Sequence, residues 1–476
     1  DYLKRNGVAP VRVERYAALF ALADPFDEEV TRALRLIFGA GLELAVATDR
    51  DIEAAFARHE AEEDDGAPEL VARVSVSDMD AERLTELAND APTIKYIESL
   101  FAKAIENRAT DIHVEAMESG PRVRLRIDGM LIETDPPERT LYDGMVSRLK
   151  ILADMDISER RLPQDGRIRQ KAAGRPIDMR VATAPTVHGE SMVLRLLDTT
   201  SGLTTLDDIQ LPGPVQKTLR SALRQPNGLI LVTGPTGSGK TTTLHAAMGE
   251  LNDAGRKIVT IENPVEVQTP GLIQIEVNPE LGWTFAAALR TVLRHDPDVL
   301  MVGEIRDAET AELAVRAAMT GHLVLSTLHT NRAQDAILRL VDMGVPEYLL
   351  SSVVRMVGAQ RLVRTLCDHC KAPLDLSKAE KARIMYDRLA KVDPTHGSAD
   401  DWNIKRAVGC DHCNQTGYAG RMAVFEAMNP SNLITTGGRL PKPDRTMGHE
   451  GLALVAQGHT TLDELIRVFG VFDFWK

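Results

Sequence analysis

The segment Gly234-Pro-Thr-Gly-Ser-Gly-Lys-Thr241 constrains the fold of this chain more than any other feature, because it matches the pattern G-x-x-x-x-G-K-[ST] in full. The apolar run Leu229–Val232 precedes it, and Thr242–Met248 has a helical composition. A buried strand, a glycine-rich loop and a helix in this order bring backbone N–H groups and a helix N-terminus around a phosphate. A chance glycine-rich turn would lack these neighbours. We therefore predict a nucleotide site formed by Gly234, Pro235, Thr236, Gly237, Ser238, Gly239, Lys240, Thr241 and Thr242.

Four short apolar runs place this loop in an α/β fold. Helical segments separate the runs, which are Leu229–Val232, Ile258–Ile261, Val299–Val302 and Leu323–Leu325. Strands that are apolar on both faces and alternate with helices are typical of a parallel sheet covered on both sides. We predict such a sheet, with a helix at Val215–Leu223 before its first strand.

The loop predicts ATP with Mg²⁺ as its ligand, but hydrolysis needs further side chains. Lys240 is expected to neutralise the β- and γ-phosphates, and the hydroxyl of Thr241 is expected to ligate Mg²⁺. Glu262 and Glu304 stand at the carboxyl ends of two predicted strands. Because ligands of open α/β sheets bind at this edge, we expect both carboxylates at the nucleotide rather than in solvent.

Length and composition limit the class of protein. At 476 residues the chain exceeds a single hydrophobic core, and its 43% apolar and 26% charged residues are ordinary for a globular protein. No apolar stretch approaches the roughly 18–20 residues that span a bilayer. A net charge of −13 with 4% aromatic residues disfavours a nucleic-acid tracker. No signal peptide is visible, so the expected location is the cytoplasm.

Upstream of the loop, residues 88–203 have the pattern of an α/β domain with an antiparallel sheet. Val123–Gly129 alternates apolar and charged residues and ends in an Asp-Gly turn, and Ala91–Ile105 has helical periodicity. The acidic run Glu60–Pro68 indicates a solvated linker to a small N-terminal module. That module ends in a predicted amphipathic helix, Arg50–Ala57.

The four cysteines form two identical motifs, Cys367-Asp-His-Cys370 and Cys410-Asp-His-Cys413. Each motif gives two thiolates at the spacing of a tetrahedral Zn²⁺ site, and four thiolates close the coordination sphere. A closed site is structural, because no position remains for water or substrate. His369 and His412 lie inside the motifs and are poorly placed to bind the same ion. Two redox pairs are the alternative, but neither lies in the βαβ context expected of such pairs.

Three further segments carry a family resemblance. Thr260–Glu266, Leu293–Asp307 and Thr320–Asn331 resemble, in this order, the Asp box, the atypical Walker B segment and the His box of the type II/type IV secretion and pilus ATPase superfamily. The sequence departs from many relatives at Asn263, where they have aspartate. The resemblance covers essentially the whole chain. It implies a RecA-like core with a parallel sheet and a zinc-binding insertion, preceded by a PAS-like α/β domain and a small N-terminal module.

The resemblance also assigns roles to single residues. Glu262 is expected to polarise the attacking water, Glu304 to act on water or Mg²⁺, and His329 to sense the γ-phosphate. His322 is a secondary candidate, because a lone histidine beside an apolar strand is more often structural. Arg180 and Arg195 match the arginine fingers of the family, and their permanent charge and forked donors suit phosphate oxygens. Without the resemblance, surface ion pairs would be the better interpretation of both arginines.

The domain order implied by the resemblance is a prediction with seven parts. They are an N-terminal partner-docking module (1–58), an acidic linker (59–87), a PAS-like arginine-finger domain (88–203), an interdomain linker (204–212), a RecA-like ATPase core (213–366), a tetracysteine zinc module (367–428) and a C-terminal helical region (429–476). In the last part, Pro430–Met447 lacks periodicity, and Thr460–Val468 is predicted to be helical.

By resemblance, the chain is expected to be a cytoplasmic ATP-hydrolysing motor that powers pseudopilus assembly and protein export in a type II secretion system. The expected partners are further copies in a homohexamer and the cytoplasmic domain of an inner-membrane platform protein, which would attach the motor peripherally to the membrane. A type IV pilus extension ATPase fits the same layout. A hexameric DNA translocase and a nucleotide-gated binding module are the remaining alternatives. The acidic charge disfavours the first, and Glu262 with Glu304 disfavours the second.

Overall fold

The computed structural model describes residues 8–14, 17–23, 30–31, 42–48, 50–52, 84–172, 174–197, 204–375, 386–387, 389–391, 395, 397–428, 443 and 445–470. The chain divides into two compact units, Asp1–Met79 and Asp80–Lys476. Most of the predicted acidic linker, and the helix predicted at residues 50–57 beyond residue 52, lie outside the described residues. No described helix has both the length and the apolar character needed to cross a bilayer.

The first unit contains a three-stranded sheet formed by β1 (Val8–Glu14), β2 (Ala17–Leu22) and β3 (Leu42–Val46). β1 and β2 pair antiparallel, whereas β2 and β3 pair parallel. Phe20 and Leu22 of the central strand are buried. The sheet is therefore organised around β2.

The second unit begins with an antiparallel region, which runs from α1 to β9. Its elements are α1 (Ala91–Glu106), β4 (Asp111–Glu115), β5 (Arg122–Ile127), β6 (Met130–Thr134), α2 (Arg139–Leu152), β7 (Gln164–Ala172), β8 (Arg175–Thr186) and β9 (Gly189–Leu197). The strand order is β6-β5-β4-β9-β8-β7, and all neighbours pair antiparallel. The predicted turn at Asp128-Gly129 joins β5 to β6 with φ angles of +48° and +82°, which an Asp-Gly pair adopts readily.

Helix α1 covers one face of this sheet because its apolar residues recur at helical spacing. Ile97, Leu100, Phe101 and Ala104 are buried in a core that also contains Leu149 of α2. The region therefore has a hydrophobic core of its own.

A parallel core follows. Its elements are α3 (Gly213–Leu223), β10 (Gly228–Thr233), α4 (Lys240–Leu251), β11 (Ile258–Glu262), β12 (Ile273–Glu276), α5 (Phe285–Val292), β13 (Val299–Val302), α6 (Ala308–Met319), β14 (Leu323–Leu328), α7 (Ala333–Asp342), α8 (Glu347–Val353) and β15 (Val354–Leu366). The strand order is β12-β11-β13-β14-β10-β15, with parallel pairing throughout. All four predicted strands are therefore present.

The burial of β10 shows that helices cover both faces of this sheet. Leu229 and Leu231 belong to one hydrophobic cluster, whereas Ile230 and Val232 belong to another. Side chains of a strand alternate between the two faces, so each face of β10 contacts its own core. A strand that is buried on both faces appears in the sequence as a continuous apolar run. These strands could therefore be predicted from the sequence.

The C-terminal part of the chain returns to this sheet. After the short strands β16 (Ala372–Pro373) and β17 (Lys405–Arg406), the long strand β18 (Tyr418–Met428) pairs antiparallel with β15 and forms the edge of the sheet. β18 lies inside the segment that the sequence analysis assigned to the zinc module. That segment therefore contributes a strand to the core sheet, which the sequence analysis did not anticipate.

Two helices complete the described chain, α9 (Met447–Ala456) and α10 (Leu462–Phe469). The helix predicted at residues 460–468 corresponds to α10. Its first turn is capped by Thr461, whose side chain accepts a hydrogen bond from the backbone N–H of Glu464. The irregular stretch predicted at residues 430–447 lies mostly outside the described residues.

Candidate nucleotide site

The phosphate loop (Gly234–Thr241) connects β10 to α4, as the sequence predicts. All three of its glycines have positive φ angles, and two of them show most clearly why glycine is needed. Gly234 has φ of +152°, and a Cβ there would lie 2.4 Å from the carbonyl oxygen of Gln360. Gly239 has φ of +85° and stands at the start of α4. Larger residues would be strained or would clash at both positions, so the loop keeps its backbone open to a ligand.

Lys240 is the cation of this loop. Its side chain is buried, and Nζ donates hydrogen bonds to the carbonyl oxygens of Gly234 at 2.9 Å and Pro235 at 3.0 Å. Burial lowers the pKa of Lys240, and the charge of Glu304 partly offsets this shift. The hydroxyl of Ser238 is also buried and has no hydrogen-bond partner among the described residues. Both groups are suited to an anionic ligand.

A cavity of about 800 Å³ borders the loop. Thr241, Thr242 and His245 line it from the parallel core, and Arg108 and Arg175 line it from the antiparallel region. This volume is within the range of small-molecule and cofactor sites. A ligand in the cavity would contact both regions of the second unit at once.

The structure distinguishes two carboxylates of the Asp box. Glu262 ends β11 and is 3% exposed. Its Oε1 accepts hydrogen bonds from Thr260 at 2.6 Å and Gln274 at 3.1 Å, and its Oε2 lies 3.1 Å from Nε2 of His245. Burial opposes the charge on Glu262, but these hydrogen bonds outweigh it, so the pKa of Glu262 lies below its ordinary value. Glu262 is therefore held as a buried carboxylate.

Glu266, the second glutamate of the Asp box, has different surroundings from Glu262. Its side chain is exposed and lines the cavity, whereas Glu262 is not among the lining residues. The water-polarising role of Glu262 stays a prediction. The carboxylate that faces the cavity in this structure is Glu266.

Glu304 and His329 are brought together at the carboxyl end of the sheet. Nε2 of His329 lies 3.2 Å from Oε2 of Glu304, and Nη2 of Arg306 lies 2.7 Å from the other carboxylate oxygen. The adjacent Thr330 donates its backbone N–H to the hydroxyl of Thr233 at 2.8 Å. Because Thr233 directly precedes the phosphate loop, this bond fixes the His box relative to that loop.

His322 takes a structural position instead. Its Nδ1 lies 3.0 Å from the carbonyl oxygen of Ala317, at the end of α6. It is not among the described residues that line the cavity.

Arg180 and Arg195 lie directly opposite each other on β8 and β9, and both are exposed. Nε of Arg195 donates to Oδ1 of Asp111 at 3.1 Å. Neither arginine is among the described residues that line the cavity. The two predicted fingers are therefore neighbours in the sheet and lie outside the set of described residues that line this cavity.

The four cysteines meet, as the sequence predicts. Their Sγ atoms all lie within 4.8 Å of one another, with separations of 3.9 Å (Cys367–Cys410), 3.8 Å (Cys370–Cys413) and 3.7 Å (Cys410–Cys413). A zinc–sulfur distance of about 2.3 Å gives a tetrahedron with edges of about 3.8 Å. The donor set therefore fits Zn²⁺. The rings of His369 and His412 contact each other, with centroids 4.1 Å apart.

Backbone N–H groups support the cysteine cluster. Gly409 donates to Sγ of Cys370 at 3.3 Å, and Gly417 donates to Sγ of Cys413 at 3.2 Å. Burial opposes ionisation of Cys413, but the N–H groups of Cys410 and Gly417 lower its pKa to about 7. In the same cluster, burial raises the pKa of Cys367 to about 11, so the two thiols differ in their surroundings. All four thiols must lose their protons to bind a metal ion.

Three residues of the site were missed by the sequence analysis: His245, Glu266 and Gln360. Gln360 accepts a hydrogen bond from the hydroxyl of Thr243 at 2.8 Å and lies beneath the phosphate loop. His245 had a detectable signal, because it lies four residues after Thr241 and so shares its face of α4. Glu266 stood within the Asp box. No motif or periodicity in the sequence indicated Gln360.

The similarity of this chain to known proteins shows its family. The family model described as "Type II/IV secretion system protein" matches residues 86–467. The chain belongs to this family. A second model, the MshEN domain, matches residues 1–66. Membership confirms the predicted family and the α/β architecture of a secretion ATPase.

Two relatives and one solved structure are similar to this chain over most of their length. The Type II secretion system protein HxcR of Pseudomonas aeruginosa is 44% identical over 427 residues, which cover 85% of each chain. The Type IV pilus assembly ATPase PilB of Myxococcus xanthus is 39% identical over 98% of this chain and 85% of its own. The X-ray structure of the Legionella pneumophila ATPase DotB aligns with a TM-score of 0.53 at 21% identity, covering 83% of this chain and 96% of that one. The last similarity shows a shared fold.

Proposed function

We propose that this chain is the motor of a type II secretion system, which hydrolyses ATP to ADP and phosphate to power pseudopilus assembly and protein export. The observation that carries the proposal is the placement of Lys240. Its ammonium group is buried in the phosphate loop, where it donates hydrogen bonds to the carbonyl oxygens of Gly234 and Pro235. The name of the Pseudomonas relative supports the secretion role.

The residues of the site suit this chemistry. Lys240 would bind β- and γ-phosphate oxygens in place of its two carbonyl partners, and the hydroxyl of Thr241 would hold Mg²⁺, which would supply charge neutralisation at the phosphates. Glu304 acts on water or on Mg²⁺, and its contact with His329 gives the histidine a route to respond to the γ-phosphate. Arg180 and Arg195 reach the nucleotide when the antiparallel region moves over the parallel core.

We assign the two Asp-box carboxylates different tasks, on the basis of their burial. Glu266 lines the cavity and is the better candidate to contact water there. Glu262 acts from beneath the cavity, through His245. Glu266→Gln is expected to lower kcat with little loss of stability, whereas Glu262→Gln is expected to lower both.

The motor works as a homohexamer at the cytoplasmic face of the inner membrane, where the N-terminal module docks on the cytoplasmic domain of a platform protein. Zn²⁺ bound by Cys367, Cys370, Cys410 and Cys413 stabilises the lobe that precedes β18.

A type IV pilus extension ATPase is the second candidate, because the identity with PilB extends over 98% of this chain. The two candidates share the same chemistry and differ in what the motor assembles. Expression in a host that lacks its own copy would separate them. Restored export of secreted proteins supports the first candidate, and restored surface pili support the second.

The direct test is Mg²⁺-dependent phosphate release by the wild type, Lys240→Ala and Lys217→Ala over a range of protein concentrations. Lys217 is an exposed lysine of α3 and serves as the matched control. Loss of activity in Lys240→Ala alone, with wild-type activity rising faster than linearly with concentration, supports a motor completed by assembly. Equal activity in all three proteins would exclude the phosphate loop as the catalytic site. DNA-stimulated turnover would favour a translocase instead.

A further inference from the structure

Asp111 and Arg195 form an ion pair between β4 and β9, the two central strands of the antiparallel sheet. They are register partners, and Nε of Arg195 donates to Oδ1 of Asp111 at 3.1 Å. The side chain of Asp111 is 9% exposed, whereas that of Arg195 is 60% exposed. The carboxylate is therefore fixed within the fold while the guanidinium extends into solvent.

The other oxygen of Asp111 is fixed from two directions. Oδ2 accepts a hydrogen bond from the hydroxyl of Thr110 at 2.7 Å, and Nε of Arg126 lies 3.6 Å away. These contacts leave Oδ1 pointing to Arg195. The negative charge of Asp111 also offsets part of the repulsion between Arg126 and Arg195, because it lies between them.

Because Asp111 contacts Arg195 only at Nε, the terminal amino groups of Arg195 remain available for a ligand. A guanidinium has five N–H donors in a planar fork, and only one of them is used by Asp111. Among the described residues, Nη1 and Nη2 of Arg195 have no hydrogen-bond partner. The four remaining donors can therefore bind phosphate oxygens in the bidentate geometry that arginine favours.

A nearby pair shows the contrasting arrangement. Arg167 of β7 binds Asp178 of β8 through two parallel hydrogen bonds, from Nε at 2.7 Å and from Nη2 at 2.6 Å. One edge of that fork is fully used by the carboxylate. Arg180 lies between Arg167 and Arg195 in the same cross-strand row and has no ion-pair partner among the described residues. In this row, Arg167 binds its carboxylate partner with two donors and Arg195 binds its partner with one. Arg180 binds no carboxylate among the described residues.

We propose that Asp111 is a positioning residue for ATP hydrolysis, which holds Arg195 through Nε so that both terminal amino groups face the transferring phosphate. The inference rests on the proposed role of Arg195 as an arginine finger. A guanidinium already held at one atom loses less side-chain freedom when it binds a phosphate. Asp111 therefore acts on the transition state through Arg195 and does not touch the nucleotide itself.

The test is a double-mutant cycle on the full chain, measured as kcat and KM for ATP. Asp111→Ala is expected to lower kcat on the order of 10- to 100-fold with little change in KM, as small misplacements of reacting groups do. In the Arg195→Ala background, the same substitution is expected to have no further effect. Asp111→Asn keeps an oxygen acceptor for Nε, so it should restore part of the activity. Asp178→Ala is the matched control and is expected to keep the wild-type kcat.

The outcomes separate this inference from the proposed function. If Arg195→Ala itself keeps the wild-type kcat, the finger role fails and the role of Asp111 fails with it. If Arg195→Ala loses activity but Asp111→Ala does not, the positioning role alone is overturned. A further loss in the double variant, or an equal loss in Asp178→Ala, would show a general effect on the sheet and would also overturn it. Circular dichroism of each variant checks that it folds.

Discussion

Nε2 of His245 lies 3.1 Å from Oε2 of Glu262, and both side chains are more than nine-tenths buried. His245 belongs to the helix that begins at Lys240, whereas Glu262 ends β11. Nδ1 of His245 lies 3.3 Å from the hydroxyl of Thr269, which follows the Asp box. One histidine therefore joins the phosphate-binding helix to the strand edge that carries the Asp box.

The substitution His245→Ala tests this link. It removes one of the hydrogen bonds that hold the buried charge of Glu262, so we expect a loss of about 1–3 kcal/mol in the free energy of unfolding. Urea denaturation measures it. His245→Gln keeps a side-chain donor and is expected to lose less. Unchanged stability and turnover in His245→Ala would show that the pair has no structural role.

Asp128 of the antiparallel region contacts residues of β18 beside the cavity. We therefore expect that loss of these contacts changes the affinity for nucleotide. Oδ2 of Asp128 accepts a hydrogen bond from the backbone N–H of Gly420 at 2.8 Å, and Oδ1 lies 3.6 Å from Nε of Arg421. All three residues line the cavity. Asp128→Ala is expected to weaken binding of a fluorescent ATP analogue about 2- to 5-fold, as suits a partly exposed contact worth less than about 1 kcal/mol.

The exposed Asp165 of β7 provides the control for this measurement. Asp165→Ala removes the same charge from the antiparallel region without touching β18. Equal affinities of Asp128→Ala and the wild type would show that the junction does not influence the cavity.

The cysteine cluster predicts a structural zinc ion. In Cys410→Ser, one of four thiolates is lost, so the closed tetrahedral site can no longer form. We expect the zinc content to fall from about one ion per chain and the lobe to become sensitive to protease, while nucleotide binding is largely kept. Metal analysis by mass spectrometry measures the first effect. Zinc content equal to that of the wild type would refute the assignment.

The surroundings of the Glu464 carboxylate allow us to predict how the free energy of unfolding depends on pH. It is fully buried, and it is bound by Arg364 at 2.8 Å and by Arg467 at 2.6 Å. Burial alone would raise its pKa, but these hydrogen bonds hold it below the ordinary value of 4.5. A depressed pKa means that the charged form stabilises the fold. This contribution is fully present above about 4.5 and is lost as the pH falls through the lower, folded-state value.

Glu464→Gln is therefore expected to lower the free energy of unfolding by about 3 kcal/mol at pH 7, because it breaks a buried ion pair. The difference from the wild type should shrink as the pH falls below about 4.5. Thermal denaturation at a series of pH values measures both effects. A difference that stays constant down to pH 3 would contradict the assignment of the charge.

Much of the fold was predictable because its signals are local. The phosphate loop needs a set of glycines, one lysine and one threonine in a fixed spacing, and the strands buried on both faces leave continuous apolar runs. The two cysteine motifs carry their own ligand spacing. The Asp-Gly turn after β5 requires positive φ angles that few other pairs adopt. Each of these patterns can be recognised without knowledge of the rest of the chain.

The tertiary structure decided how these parts meet. Burial placed Glu262 inside the core with His245 and left Glu266 at the cavity, although both belong to one short segment of sequence. The pairing of β18 with β15 joined segments separated by the whole zinc lobe. The sequence by itself determined the chemistry available to this protein, since motifs and periodicity are short-range. The partners of each charged group, including Asp111 for Arg195, depend on the register between strands that are distant in the chain, and only the folded sheet sets that register.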